Sequence, residues 1–258
     1  MMKTLAVLSA KGGVGKTSFA ANLSVALARA GLPVLLVDLD PQNAVCHHFG
    51  ISPDASPGLA LASLQARNWR EVAIETASGV LALPYGQPTE RQRIAFETAI
   101  DEQADWPTSQ LEAMRLAPGT IVIFDTPPGP SVYVRRVLKK TQFATVVTLP
   151  DAASYATLHI MESLLDQFSR PRPDFLGAHY VINQVDSGHA LSRDIAILLK
   201  SEFGSDVLGR IHLDQFMREA LARGQDVMTF SPHSQSAQDV LDCARLIHQH
   251  LRTGTSQP

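Results

Sequence analysis

The stretch Ser9 to Ser18, SAKGGVGKTS, sets two lysines around three glycines. Gly15, Lys16 and Thr17 complete the end of the phosphate-loop pattern G-x-x-x-x-G-K-[ST], with Ala10 standing where its first glycine is usual. Glycines at 12, 13 and 15 let the N–H groups of Gly12, Gly13, Val14 and Gly15 converge on phosphate oxygens without Cβ interference, and those of Lys16, Thr17 and Ser18 follow where a helix would open. A helix beginning near Lys16 would point its positive dipole end at the same anion. The pattern gives Lys16 to the β- and γ-phosphates and Thr17 to a magnesium ion. Lys11 then has no phosphate of its own to serve. A facing second subunit is its economical destination, and an exposed surface lysine is the plainer one.

A carboxylate follows at the right kind of place. Asp125 closes the apolar run Ile121 to Phe124, where it would hold the magnesium shell through water or, more simply, cap a turn.

These groups can act together only if strands and helices bring them to one edge. TLAVLS before the loop is a short apolar run, and SFAANLSVALARA after it repeats Phe19, Leu23, Ala26, Leu27 and Ala30 at helical spacing. Val34 to Val37, in LPVLLVDLDPQ, reads as a strand buried on both faces. Similar runs recur in GVLALPYG, GTIVIFDTPPG, FATVVTLPD, DFLGAHYVINQV and DVLGRIHLD, with helical patterns between most of them, such as Tyr155 to Phe168. The alternation predicts an α/β fold, a single doubly wound and mostly parallel sheet with helices on both faces, whose ligands bind at the carboxyl ends of the strands. It spans residues 1–251; Ile51 to Ser78 is less regular, and residues 252–258, RTGTSQP, read as a flexible tail.

Composition narrows the class. With 258 residues, 45% of them hydrophobic, and a net charge of −3, the chain supports one sizeable core and exerts no global pull on nucleic acid or anionic lipid. Cys46 and Cys243 are too far apart in sequence for a CxxC motif or a disulfide framework, which suits a reducing cytoplasm. His47, His48, His248 and His250 lack the spacing of a closed zinc site. No leader is visible and no apolar run approaches the ~18 residues of a membrane span. A soluble cytoplasmic protein is expected.

With both lysines in place, KGGVGKTS resembles the deviant phosphate loop of the ParA/MinD class of P-loop ATPases. The resemblance implies ATP/ADP and Mg2+ as ligands, a homodimer in the ATP state, and Lys11 reaching the partner chain's nucleotide. DLDPQ is similar to the class's first switch segment, implying that Asp38 supports magnesium and Asp40 orients the attacking water. DTPPG is similar to the second, implying that the Gly129 amide senses the γ-phosphate. By the same match Asn183 contacts the adenine and Pro232, in TFSPHS, lies in the loop that covers it.

Within this class the chain resembles the BcsQ type, the ATPase of bacterial cellulose-secretion operons, through NWREV, LALPYGQPTERQ and the long carboxyl-terminal run from Ile211. That likeness implies partners among the cytoplasmic subunits of a cellulose synthase complex, recruitment by them to the inner face of the membrane, and a role in assembly or localisation. Members vary in the phosphate loop; retention of Lys11 and Lys16 implies that hydrolysis is possible. It is equally what partition ATPases have, which bind DNA non-specifically. RRVLKK puts Arg135, Arg136, Lys139 and Lys140 along one side of a helix, either a solvated face or a surface for DNA, lipid or a partner. The terminal apolar face Val240, Leu241, Ala244, Ile247 and Leu251 is expected in the core rather than inserted in a membrane.

Overall fold

Eight strands form one sheet in the computed structural model, which describes residues 2–253. They are β1 (Lys3–Leu8), β2 (Val34–Asp38), β3 (Ile74–Glu75), β4 (Val80–Leu83), β5 (Ile121–Asp125), β6 (Phe143–Thr148), β7 (Gly177–Val185) and β8 (Val207–His212). Their order is β3-β4-β2-β5-β1-β6-β7-β8, parallel throughout except for the β3–β4 pair. The helices are α1 (Lys16–Arg29), α2 (Val45–His48), α3 (Gly58–Leu64), α4 (Glu90–Glu102), α5 (Thr108–Ala113), α6 (Val132–Leu138), α7 (Ala152–Phe168), α8 (Ala190–Phe203), α9 (Gln215–Ala222), α10 (Val227–Phe230) and α11 (Gln235–Thr253).

The apolar runs are strands because both of their faces are covered. Every residue of β2, β5 and β6 is buried. Side chains alternate across the pleat, so on β1 Leu5 and Val7 join one core with α1, α2, α9, α10 and α11, while Ala6 and Leu8 join the other with α3 to α8. The doubly wound fold expected from the sequence is the one observed.

Helix α1 is buried all round from Phe19 to Leu27, since it is wedged between the sheet and α11. A single apolar stripe understates that packing, and Ala30, expected on the stripe, is instead the exposed carboxyl cap before the left-handed Gly31 (φ 81°). Val240, Ala244, Ile247 and Leu251 of α11 are buried in the same core. Arg252 and Thr253, expected in the flexible tail, finish α11; residues 254–258 lie outside the described residues. No helix among the described residues is long and apolar enough to cross a membrane.

The basic cluster departs from its expected arrangement. Helix α6 ends at Leu138, and consecutive helical residues lie ~100° apart, so Arg135 and Arg136 cannot share a face. Arg136 is buried, with Nε and Nη2 unpartnered. Arg135 lies 3.9 Å from Asp101, Lys140 lies 3.5 Å from Asp105, and Lys139 sits over the Phe168 ring. No basic stripe results.

The connections leaving β1 and β5 go to opposite faces of the sheet, through α1 and α6, and open a crevice above their carboxyl ends.

Candidate functional site

The glycine loop occupies that crevice. Gly13 (φ 76°) and Gly15 (φ 82°) are left-handed, and Gly15 is also the residue from which α1 starts. A Cβ at Gly15 would overlap the Asn183 side-chain amide, so this glycine is required twice over, by its backbone and by its neighbour. Asn183 is buried at the end of β7 and donates through Nδ2 to the Val14 carbonyl at 2.7 Å, clamping the loop from beneath.

Under the loop Lys16 and Thr17 converge on one carboxylate. Lys16 Nζ is 2.7 Å from Asp125 Oδ1, and Thr17 Oγ1 donates to Asp125 Oδ2, also at 2.7 Å. Asp125 is fully buried and stands in register with Asp38 at the end of the adjacent strand β2. Asp38 accepts from the backbone N–H groups of Asp40 (3.0 Å) and Val45 (3.1 Å). Burial, followed by the neighbouring Asp125 carboxylate, holds the Asp38 carboxyl well above the usual range. Burial likewise raises that of Asp40, which accepts from Gln42 N–H at 3.0 Å and thereby shapes the turn after β2.

Three carboxylates therefore face one ammonium, Lys16, in a buried pocket. The donors are hard oxygens, those of Thr17, Asp38 and Asp125, and the raised carboxyls mark a shortage of positive charge. That fits a magnesium ion bound to few protein groups and otherwise to water and phosphate. Among the described residues no cluster of three or more His, Cys, Asp or Glu could hold a metal ion.

A cleft of about 360 Å³ lies over the loop and brings together Lys11, Gly12, Gly13, Val14, Gly15, Lys16, Thr17, Ser18 and Asp40. Lys11 stands at its mouth, 3.7 Å from Asp151 of the same chain. Gly129 (φ 70°) is buried beside it and donates its N–H to the Ser9 carbonyl at 2.8 Å. Pro232 is exposed between α10 and α11 and is not among the residues lining the cleft.

Gln42 of DLDPQ and Pro128 of DTPPG also line the cleft, as do Ala44, His48, Gln184 and Leu221, to which no sequence pattern gives a role there. His48 is buried, with Nε2 3.5 Å from Ser18 Oγ, and burial lowers its pKa to about 4, so it stays neutral at physiological pH. Its placement depends on α2 folding back over α1, which no local pattern announces. A larger cavity of about 640 Å³ lies between α8, β8 and α11, far from the glycine loop. Its Cys243 thiol is pushed up to about 12 by burial, which suppresses thiolate chemistry there.

Sheet order, loop and carboxylate placement define a P-loop protein of the ParA/MinD class. The structure of the septum site-determining protein MinD complexed with Mg-ADP, from Pyrococcus horikoshii, superposes with a TM-score of 0.78 over 100% of both chains at 19% identity. The chain belongs to the family described as cellulose biosynthesis protein BcsQ, whose profile matches residues 2–247. It is 28% identical to cellulose biosynthesis protein BcsQ of Salmonella typhimurium over 96% of this chain and 95% of that one. It is 29% identical to the chromosome-partitioning ATPase Soj of Thermus thermophilus over 92% of this chain and 91% of the relative.

Proposed function

We propose that the chain is a Mg2+-dependent ATPase, converting ATP to ADP and phosphate, that dimerises in the ATP state and regulates assembly or localisation of a bacterial cellulose synthase complex through protein partners. The observation that carries this reading is the Lys16–Asp125 pair, 2.7 Å apart beneath a glycine loop whose cleft also takes in Lys11 and Asp40. The family's description supplies the cellulose context.

Each residue has a role in this scheme. The loop N–H groups cradle the phosphates, and Lys16 exchanges Asp125 for the β- and γ-oxygens. Asp125 is thereby freed to join Thr17 and Asp38 in holding magnesium, which when bound neutralises charge on the phosphate oxygens. Asp40, its basicity raised by burial, orients the attacking water. Gly129 turns its N–H from the Ser9 carbonyl to the γ-phosphate. Lys11 leaves Asp151 and neutralises charge on the partner chain's nucleotide, as an arginine finger does. Loss of the γ-phosphate removes the contacts that favour the dimer, and the switch resets. The protein works in the cytoplasm and reaches the inner face of the membrane through its partners.

Calorimetry tests the site. Lys16→Ala should abolish Mg-ATP binding, because the phosphate charge loses its one internal cation. Unchanged affinity in that variant would contradict the assignment. The biological half is tested by cellulose output in cells lacking the chain, which wild type should restore and Lys16→Ala should not.

A further inference from the structure

We infer that Tyr85 and Gly86, with Asn43 and Tyr133, are positioning residues: the loop after β4 is a strut that ties the turn carrying Asp40 to the helix following Gly129, so that the two segments are set as one unit around the γ-phosphate. The inference rests on the nucleotide site proposed above. It gives a task to LPYGQ, a stretch that lies outside the glycine loop and lines none of its cleft.

One end of the strut is Gly86. Its N–H donates to Asn43 Oδ1 at 3.2 Å in the buried interior, and Asn43 N–H donates to the Asp40 carbonyl at 2.9 Å. Asn43 is itself left-handed (φ 52°), a conformation that non-glycine residues seldom adopt and that the surroundings must hold.

The other end is Tyr85. Its hydroxyl lies 2.7 Å from that of Tyr133, and the two rings meet edge to face at 5.9 Å. Burial pushes the Tyr85 phenol up to about 12, so it remains a neutral hydrogen-bonding group at working pH. Tyr133 belongs to α6, whose cap Ser131 stands two residues after Gly129 and accepts from Val134 N–H at 3.1 Å.

Between these ends the loop has little freedom. Leu59 N–H donates to the Pro84 carbonyl at 2.9 Å and Ala60 N–H to that of Tyr85 at 3.2 Å. A Cβ on Gly86 would overlap the Pro57 carbonyl, and one on Gly58 would overlap Gly86. Because the two ends are adjacent residues of a pinned loop, a displacement of one turn is delivered to the other. Phosphoryl transfer depends on that joint placement, since small misplacements of reacting groups cost large factors in rate.

The aromatic cluster supplies a readout. Phe96 packs against Tyr85 and Tyr133 at 6.2 and 6.1 Å and against Trp106 at 6.4 Å, and Trp106 packs against Trp69 at 6.2 Å. Both tryptophans of the chain therefore sit at the end of this contact chain.

Calorimetry, single-turnover ATP hydrolysis and tryptophan emission of the full chain test this. Asn43→Gly suits the left-handed backbone and Tyr85→Phe keeps the ring, so both variants should fold. Each should slow hydrolysis by about tenfold or more, while Mg-ATP affinity stays within about twofold of wild type. The double variant should be no slower than the slower single one, because both act on one strut. Mg-ATP should shift the emission of wild type and leave that of the variants unmoved although they bind it. Wild-type rates and emission shifts in both variants, additive losses in the double variant, affinity lost in step with rate, or wild-type emission indifferent to bound ATP overturns the strut. Failure of wild type to bind Mg-ATP instead overturns the reading of the whole site.

Discussion

Lys11 Nζ lies 3.7 Å from Asp151 Oδ1 of its own chain, with 36% and 42% of the two side chains exposed. At that exposure the pair contributes ~0–1 kcal/mol, so it parks the lysine without trapping it. Asp151 also caps α7, accepting from Ser154 N–H at 2.7 Å. Asn can keep that cap while removing the charge. Asp151→Asn should therefore lower the protein concentration needed for ATP-dependent dimerisation by about two- to fivefold, with thermal stability held. Sedimentation velocity across a dilution series checks it; a dimer weaker than that of wild type would contradict the parking role.

Asp40 predicts a pH dependence of stability in protein free of nucleotide and metal. Its folded carboxyl is raised by burial, so the folded state holds the proton more tightly than the unfolded chain. The sign follows: this residue's contribution is most favourable below the ordinary carboxylate range and is lost as pH rises through the raised value. Asp40→Asn keeps an acceptor for Gln42 N–H and carries no charge. Its melting temperature should match that of wild type near pH 4 and exceed it by about 2 °C or more at pH 8. A variant less stable than wild type at pH 8 would show that Asp40 is compensated.

Most of the sheet is legible in the sequence because parallel strands covered on both faces read as unbroken apolar runs, as β2, β5 and β6 do. β3 is not: two residues on an antiparallel edge carry no pattern. The loop's lysines and glycines announce their chemistry by spacing alone. What spacing cannot convey is which of two adjacent residues turns inward. Asn183 and Gln184 differ by one methylene, and their different positions depend on a left-handed φ at Gln184 and on a contact with Val14, 169 positions away in sequence. Arg136 misleads for a related reason. Charge suggests solvent, but its helix packs against α4 and α7, and Arg136 is buried there while Arg135, beside Asp101 of α4, stays partly exposed.

DNA binding is predicted to be weak. Arg135 and Lys140 face acidic partners and Arg136 is buried, so few cations are free to displace counterions from a duplex. Retention of random duplex DNA at low salt with ATP should be slight and unaffected by Arg135→Glu combined with Lys140→Glu, both partly exposed. Tight, salt-sensitive retention lost in that double variant would support a partition role.

The central claim, that each chain completes the other's ATP site, is tested most directly by sedimentation with ATP and with ADP. Wild type should be dimeric in ATP and monomeric in ADP. Lys11→Ala should bind ATP yet remain monomeric, because the cation that crosses the interface is gone while Lys16 still serves the phosphates. Asp40→Ala should bind ATP and persist as a dimer, because the water is no longer oriented for attack. If Lys11→Ala dimerises in ATP as well as wild type does, Lys11 does not act across the interface and the account is wrong.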